Sequence, residues 1–247
     1  MNLAPLNYNF GNASNYSFAT TITCNNEDAR KMFVEGFGHM LNYNHEQAIA
    51  CYMNVTELDP TCAMAWWGIA YCVSSNYNWT PGLGSGYDPI QQAISLKAGC
   101  TALEQDLIDA LAQRHSEEAR DAADPSVLNM GNSPELNIAF AKAMAPLYLK
   151  YKGNLDVAAI YVEALMNLNA WQLWNKNTET GEITPLDNNT LLCVKVMEDA
   201  FENISGAKQH IALCHLYCHC LELSPFPERA LPAADLLRTA MPSMGHL

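Results

Sequence analysis

The sequence is poor in basic residues. Its 247 residues include 13 Lys and Arg against 26 Asp and Glu, which gives a formal net charge of −13 at pH 7. Binding to nucleic acid or to anionic membranes requires clustered basic side chains that neutralise phosphate groups. The sequence contains no such basic stripe, and we therefore exclude nucleic acid as a partner.

Long apolar segments and catalytic motifs are also missing. No apolar run reaches the roughly 18 residues that a membrane-spanning helix needs, so we expect no membrane span. The first residues, MNLAPLNYNFGNASNYS, have neither the basic nor the apolar region of an intact signal peptide. G-x-S-x-G, H-E-x-x-H and phosphate-binding Gly-rich motifs do not occur. The sequence therefore assigns no catalytic residue, and whether the protein is an enzyme stays open.

The nine cysteines do not form a recognisable framework. Their number is odd and their spacing is irregular, which is not the pattern of a disulfide-stapled domain. Most of them fall within helical patterns, and we interpret these as small buried hydrophobic residues. One pair could form a disulfide if the protein is secreted.

Six Asn-x-Ser/Thr sequences are candidate acceptors for N-linked glycans. They begin at Asn12, Asn15, Asn54, Asn78, Asn188 and Asn203. Some acceptors arise by chance in a chain this rich in Asn. The modest excess indicates a secretory route as one alternative, in which glycans would decorate exposed acceptors. The sequence does not otherwise specify a compartment.

Helical periodicity dominates the chain, and residues 26–60 predict two amphipathic helices. We expect Gly36 on the first helix to let the second approach closely. Ala48 on the second helix would lie where the two cross, and Tyr52 would fill the groove between them. Pro60 ends the pair. This arrangement is typical of a tetratricopeptide repeat.

The same pattern returns later in the chain, where residues 154–169 align with residues 44–59. We therefore predict an all-α fold of tetratricopeptide-like helical hairpins stacked as a right-handed solenoid. The predicted organisation is an extended Asn-rich segment at 1–26 and one repeat domain at 27–247. Repeat pairs are expected at about 27–60, 61–115, 136–170 and 191–242.

Pro and Gly residues predict the loops between these pairs. We expect loops at 80–86, 121–134 and 175–189, with an intervening helix at about 104–115. No alternating run is long enough to predict a sheet.

From about residue 28 onward, the chain resembles a group of tetratricopeptide-repeat proteins found in bacteria and some eukaryotes. The resemblance rests on NHEQAIACYMNVTELDPTCAMAWWGIAY, SSNYNW, IYVEALMNLNAWQLW and HLYCHCLELSPFPERALPAADLLRTAMPSMGHL. It implies the helical-repeat fold and no particular activity. It also implies continuation beyond Leu247 into further repeats, because members of this group extend past the corresponding Gly-His-Leu.

A candidate metal site lies near the end of the sequence. His215, His219 and Glu222 are spaced four and three residues apart, which places them on one face of a helix. Two imidazoles and a carboxylate can bind Zn, Cu, Fe or Mn, and His246 could reach the same surface. The alternative is a hydrogen-bonded structural cluster between stacked helices. His39 and His45 stand alone, and we expect His45 to be solvated or to cap its helix.

A second candidate site is rich in aromatic and amide side chains. Trp67, Asn76, Tyr77 and Asn78 offer ring faces and amide donors that could hold a peptide or a glycan.

Three functions follow from these patterns. The first is an interaction scaffold that binds a protein, peptide or glycan on the concave face of the solenoid. The second is a metal-binding protein or metalloenzyme that uses the His215–His219–Glu222 face. The third is the structural subunit of an extracellular filament, formed when terminal repeats stack end to end in a contact that does not close.

Overall fold

The computed structural model describes residues 16–124, 126 and 131–240. The chain is mostly helical, with 11 α-helices and one two-stranded sheet in these ranges. The expected all-α class is thereby confirmed. None of these helices combines the length and the apolar character that crossing a bilayer requires.

The helices are numbered in chain order. The first six are α1 (Glu27–Leu41), α2 (His45–Leu58), α3 (Ala63–Val73), α4 (Tyr87–Leu96), α5 (Ala102–Ala112) and α6 (Glu117–Asp121). The other five are α7 (Pro134–Lys150), α8 (Leu155–Met166), α9 (Asn188–Asn203), α10 (Ile211–Leu221) and α11 (Leu231–Ala240). Short 3-10 helices cover Lys97–Gly99, Asn167–Asn169, Ala207–Gln209 and Pro227–Ala230.

Polar side chains fix where several of these helices begin. Asn26, Ser133 and Asn154 accept hydrogen bonds from backbone N–H groups in the first turns of α1, α7 and α8. Helix α5 begins with a capping box, in which the side chains of Thr101 and Glu104 each accept from the other's backbone N–H. These caps satisfy donors that have no partner within the helix.

Helices that follow one another in the sequence pack against each other in space. The chain of contacts runs from α1 through α5, continues to α7, α8, α9, α10 and α11, and includes a direct contact of α8 with α10. The predicted pairs at 27–60 and 136–170 correspond to α1–α2 and α7–α8. The range 61–115 holds three helices, α3, α4 and α5, and the last of them is the predicted intervening helix. The range 191–242 overlaps α9, α10 and α11.

Tyr52 of α2 is wedged between two glycines. A Cβ atom built on Gly36 of α1 would lie 2.9 Å from the Tyr52 ring, and one built on Gly68 of α3 would lie 2.5 Å from it. Only a hydrogen atom fits at either position. The expected roles of Gly36 and Tyr52 are confirmed, and Gly68 repeats the device on the other side of the ring.

The N-terminal segment from Tyr16 onward belongs to the helical domain. We expected an extended segment over residues 1–26, but residues 17–20 form a turn and Tyr16, Phe18 and Ile22 are buried. The Phe18 ring lies 6.3 Å from Trp67 and the Tyr16 ring lies 5.5 Å from His210. The Asn-rich composition concealed these apolar residues, and their burial draws the segment into the core.

Asp156 joins three distant parts of the chain. Its Oδ2 accepts a hydrogen bond from the backbone N–H of Phe18 at 2.8 Å, and its Oδ1 lies 2.9 Å from Nε2 of His210. The side chains of Asp156 and His210 are both 0% exposed. A carboxylate in this position is tolerated because each oxygen has a hydrogen-bond donor.

A short hairpin replaces part of the predicted loop at 175–189. Strands β1 (Trp174–Lys176) and β2 (Ile183–Pro185) pair antiparallel, with Trp174 opposite Pro185 and Lys176 opposite Ile183. The side chain of Asn177 accepts from two backbone N–H groups in the connecting turn. Strands of three residues are too short to show the alternation that predicts a sheet.

All nine cysteines carry free thiols, and seven of them are buried. Burial raises the pKa of Cys62 and Cys214 to about 12. The interpretation of most cysteines as small buried hydrophobic residues is confirmed.

We predict that Gly68→Ala destabilises the protein by about 1–3 kcal/mol, because the added methyl group overpacks the Tyr52 ring. Urea denaturation measures the change in the free energy of unfolding. Gly84→Ala is the matched control, since a Cβ at Gly84 meets no atom within 4 Å. Equal stability of the two variants would contradict the wedge.

We predict that Asp156→Ala lowers the free energy of unfolding by about 2–6 kcal/mol, because it leaves two buried donors without an acceptor, at roughly 1–3 kcal/mol each. The control is Asp199→Ala, which removes a carboxylate from an exposed ion pair with Lys195 and should cost about 0–1 kcal/mol. The same urea denaturation compares them. A small change in the free energy of unfolding of Asp156→Ala would show that the hydrogen bonds of Asp156 do not hold the N-terminal segment in place.

Candidate functional site

Helix α10 carries the predicted histidine face. The rings of His215 and His219 have centroids 4.8 Å apart, and Nδ1 of His219 lies 3.1 Å from Oε1 of Glu222. Glu222 is the C-cap residue and keeps helical backbone angles. The structure therefore places the three side chains in one row along α10, as their spacing predicts.

Each histidine is oriented by an oxygen acceptor. Nδ1 of His215 lies 3.2 Å from the carbonyl oxygen of Leu41, and a carbonyl can only accept. Nδ1 therefore carries the hydrogen in His215, and the same assignment follows for His219 beside the Glu222 carboxylate. In this tautomer Nε2 holds the lone pair. Histidines that bind metals are commonly oriented in this way.

The predicted ligands do not converge on a single point in the described ranges. His215 and Glu222 are seven residues apart, which separates them by about 10 Å along the helix axis. In the described part of the chain, the one group of three ligand atoms that all lie within 4.8 Å of each other comes from Glu35, His39 and Cys51. His246, the fourth predicted ligand, lies outside the described residues.

Aromatic rings surround the two histidines. The ring of His219 lies 6.0 Å from Tyr43, 5.3 Å from Tyr77 and 6.1 Å from Trp171, between centroids. Tyr43 also lies 5.0 Å from His215. We call these five residues the aromatic–histidine cluster. Three of them come from turns that lie far apart in the sequence.

Two of these turns hold their aromatic residue in an unusual backbone conformation. Tyr43 has φ 58° and Trp171 has φ 63°, and they are the two non-glycine residues with positive φ in the described ranges. Such conformations cost of order 1–3 kcal/mol each and concentrate at functional sites. Neither residue is predicted from the sequence, because a Tyr or Trp gives no local signal for positive φ.

The structure places the predicted aromatic and amide residues in different environments. Trp67 is fully buried and donates from Nε1 to the carbonyl oxygen of Leu107 at 3.1 Å, so its prediction as a ligand residue is wrong. Its position on α3 points into the core. Asn76 is also buried, and its Oδ1 accepts from the backbone N–H groups of Asn78 and Trp79. Asn78 itself is half-buried in that turn.

Tyr77 is the one member of the second predicted set that joins the cluster. It is 1% exposed because Trp171 stacks on it, with centroids 5.3 Å apart and ring planes at 28°. Trp171 in turn is 48% exposed. Tyr77 thus supports an aromatic face that Trp171 presents to solvent.

His45 is buried, contrary to the expectation of a solvated or capping residue. Its Nδ1 lies 2.9 Å from the carbonyl oxygen of Cys72, and α2 has no side-chain cap. Burial lowers the pKa of His45 to about 4. The ring is therefore neutral at pH 7 and belongs to the layer beneath Tyr43, whose ring lies 6.1 Å away.

A polar cleft of about 500 Å³ opens beside Trp171. We call it the amide-lined cleft. It is lined by Ser75, Thr80, Asn132, Ser133, Pro134, Asn137, Ile138, Asn167, Leu168, Asn169, Ala170, Gln172, Asp187 and Asn189. Six of these residues are Asn or Gln and one is an acid. Trp171 itself is not a lining residue, but its two neighbours in the chain, Ala170 and Gln172, both line the cleft.

A buried arginine holds the wall of this cleft in place. Arg114 donates to the carbonyl oxygen of Ser75 at 2.6 Å and to Oδ1 of Asn137 at 2.8 Å. Both acceptors belong to lining residues. Asn132 adds a second link, because its Oδ1 accepts from the backbone N–H of Ser75. The wall is therefore fixed by hydrogen bonds rather than left as a free loop.

The glycan acceptors that the structure describes differ in exposure. Asn188 and Asn203 are exposed at the two ends of α9, whereas Asn54 within α2 and Asn78 in its turn are half-buried. Asn12 and Asn15 lie outside the described residues. Only exposed acceptors suit an N-linked glycan.

Comparison with protein-family models, with curated proteins and with solved structures finds no match to this chain.

We predict that the protein loses stability as the pH falls from 6.5 towards 4. Burial depresses the pKa of His45 to about 4 and of His115 to about 3, while both titrate near 6.5 in the unfolded chain. Between pH 6.5 and 4 the unfolded state binds more protons than the folded state, so acid favours unfolding. Protonation of His45 alone lowers the free energy of unfolding by on the order of 3 kcal/mol.

Urea denaturation at a series of pH values measures this loss. His45→Gln removes the ionisable ring and keeps an N–H donor for the Cys72 carbonyl, so its stability should depend less steeply on pH. An unchanged pH dependence in His45→Gln would contradict the assignment to this ring.

Proposed function

We propose that the protein is a helical-repeat scaffold of the tetratricopeptide type that binds an oligosaccharide in the amide-lined cleft beside Trp171. The observation that carries this proposal is the composition of the cleft, in which six lining residues are Asn or Gln and one is an acid. The proposal includes a right-handed stacking of helical hairpins.

The packing of α1, α2 and α3 supports the repeat assignment. Gly36 on α1 and Gly68 on α3 both leave room for the Tyr52 ring of α2, where these neighbouring helices pack closely. Successive helices also pack on their sequence neighbours, which is the contact pattern of a repeat array.

The chemistry of the cleft favours a neutral, hydroxyl-rich ligand. An amide side chain offers two donor hydrogens and an acceptor oxygen, so these amides keep capacity for hydroxyl groups beyond the hydrogen bonds that Asn132, Asn137, Asn169 and Asn189 make within the protein. Asp187 is the single acid among the lining residues, and no lining residue is basic. The exposed ring of Trp171 offers a flat apolar face for the C–H face of a sugar. The volume lies within the range of ligand-binding pockets.

We predict that Trp171→Ala weakens oligosaccharide binding by about 2 kcal/mol, or roughly 30-fold, the loss typical of a tryptophan whose ring contacts the ligand. An array of neutral oligosaccharides identifies a probe, and calorimetry measures its dissociation constant for each variant. Gln172→Ala should weaken binding less, because it removes only one amide.

Leu149→Ala is the control. Leu149 is 71% exposed and neither lines the cleft nor adjoins a lining residue in the chain, so its loss should leave the dissociation constant unchanged. A parallel peptide library tests the other ligand class. Binding of peptides alone would show that the ligand class is wrong, and binding of neither would overturn the assignment of this cleft.

A second candidate function is metal binding by the α10 face. The observation that favours it is the orientation of His215 and His219, whose Nδ1 atoms both face oxygen acceptors. Elemental analysis of the native protein beside a His215→Ala/His219→Ala variant tests this alternative. An unchanged number of metal equivalents per chain in the variant would exclude these two ligands.

A further inference from the structure

Helices α1 and α2 bring three different metal-ligand side chains together at a place remote in sequence from α10. Glu35 and His39 are four residues apart, and therefore one turn apart, on α1. Cys51 lies on α2, in the neighbouring helix of the same hairpin. One ligand atom from each of the three lies within 4.8 Å of the other two.

A glycine makes this approach of the two helices feasible. A Cβ atom built on Gly36, the residue after Glu35, would lie 3.0 Å from Cβ of Cys51. A larger residue would push α2 away from α1 at the level of the thiol. Gly36, which makes room for the Tyr52 ring, thus also lets Cys51 approach Glu35 and His39 on α1.

The surroundings of the cluster favour a neutral assembly. His39 is fully buried, Cys51 is 2% exposed and Glu35 is half-buried. A full charge at this position is costly unless a partner compensates it.

We propose that Glu35, His39 and Cys51 bind one Zn²⁺ ion, with water completing the coordination from the half-exposed side of Glu35. The charge of the ion is balanced by one carboxylate and one thiolate, while imidazole binds as the neutral ring. Binding releases the thiol proton of Cys51 and any proton on Glu35 to solvent. Ligands of a tetrahedral zinc site lie roughly 3.5 Å apart, so side chains must move by only about 1 Å.

The neighbouring turn supplies an orienting group for the imidazole. Nδ2 of Asn44 lies 3.1 Å from Nδ1 of His39. This contact fixes the orientation of the His39 ring, as residues next to metal-binding histidines commonly do. Such a site would fasten the end of α1 to α2 and stabilise the first hairpin. It is independent of the oligosaccharide cleft.

Co²⁺ is a suitable spectroscopic probe, because a cobalt–thiolate bond gives a charge-transfer band that carboxylate and imidazole ligands do not give. The full-length protein, reduced and stripped with a chelator, is titrated with Co²⁺ and then with Zn²⁺ as competitor. We expect one equivalent of Co²⁺ to bind with this band and Zn²⁺ to displace it. Zn²⁺ should also raise the melting temperature of the wild-type protein.

Two variants test the ligands. Cys51→Ser should abolish the charge-transfer band. Glu35→Gln, at a half-exposed position that tolerates an amide, should weaken Zn²⁺ binding by at least about 10–100-fold, the loss typical of even an orienting residue. Circular dichroism establishes that each variant is folded, and Glu35→Gln keeps the test decisive if Cys51→Ser does not fold.

Two control variants locate the signal. Cys218→Ser removes a half-buried thiol on α10, and His215→Ala/His219→Ala removes the histidine face, so both should keep the band and the affinity. Absence of the band in the wild-type protein would overturn the proposal. So would a band that persists in Cys51→Ser, an unchanged affinity in Glu35→Gln, or loss of the band in a control variant.

Discussion

The buried carboxylate of Asp156 is the constraint on which much of the structure depends. A desolvated carboxylate needs hydrogen-bond donors, and its donors come from residue 18 and from residue 210. His210 is also the N-cap of α10, since its Nδ1 accepts from the backbone N–H of Leu213. Asp156 on α8 therefore sets where α10 begins, and with it the positions of His215 and His219 one and two turns later.

The aromatic–histidine cluster follows from this placement. Helices supply the histidines, while turns supply Tyr43, Tyr77 and Trp171. Ring contacts compensate the unfavourable backbone angles of Tyr43 and Trp171. The Tyr43 ring contacts His215 on α10, and the Trp171 ring contacts Tyr77 and His219. The helices thus provide a rigid frame, and the strained turns carry the side chains that a ligand would meet.

How far the sequence could predict this structure depended on the range of the interactions. Gly36 and Tyr52 were predicted correctly because a helical hairpin imposes their spacing locally. The row of His215, His219 and Glu222 was visible for the same reason. The role of Trp171 could not be predicted from the sequence, because it depends on a positive φ and on stacking with Tyr77, almost a hundred residues away.

Other features required knowledge of how separate segments meet. The spacing of Glu35 and His39 was present in the sequence, but Cys51 joins them only through the register of α1 against α2. The N-terminal segment looked extended because Asn residues dominate it, although Tyr16 and Phe18 enter the core. Trp67 was assigned to a ligand site because the sequence does not show which face of α3 is enclosed on all sides.

The docking of the N-terminal segment has a consequence for synthesis of the chain. Phe18 is separated from its acceptor on Asp156 by 138 residues, and at about 5–20 residues per second that acceptor emerges roughly 7–28 s later. The segment before α1 is therefore among the last to complete its native contacts. During that interval Phe18 can pack on Phe37 and Trp67, but its backbone N–H has no acceptor on Asp156 until the second half of the chain has been synthesised.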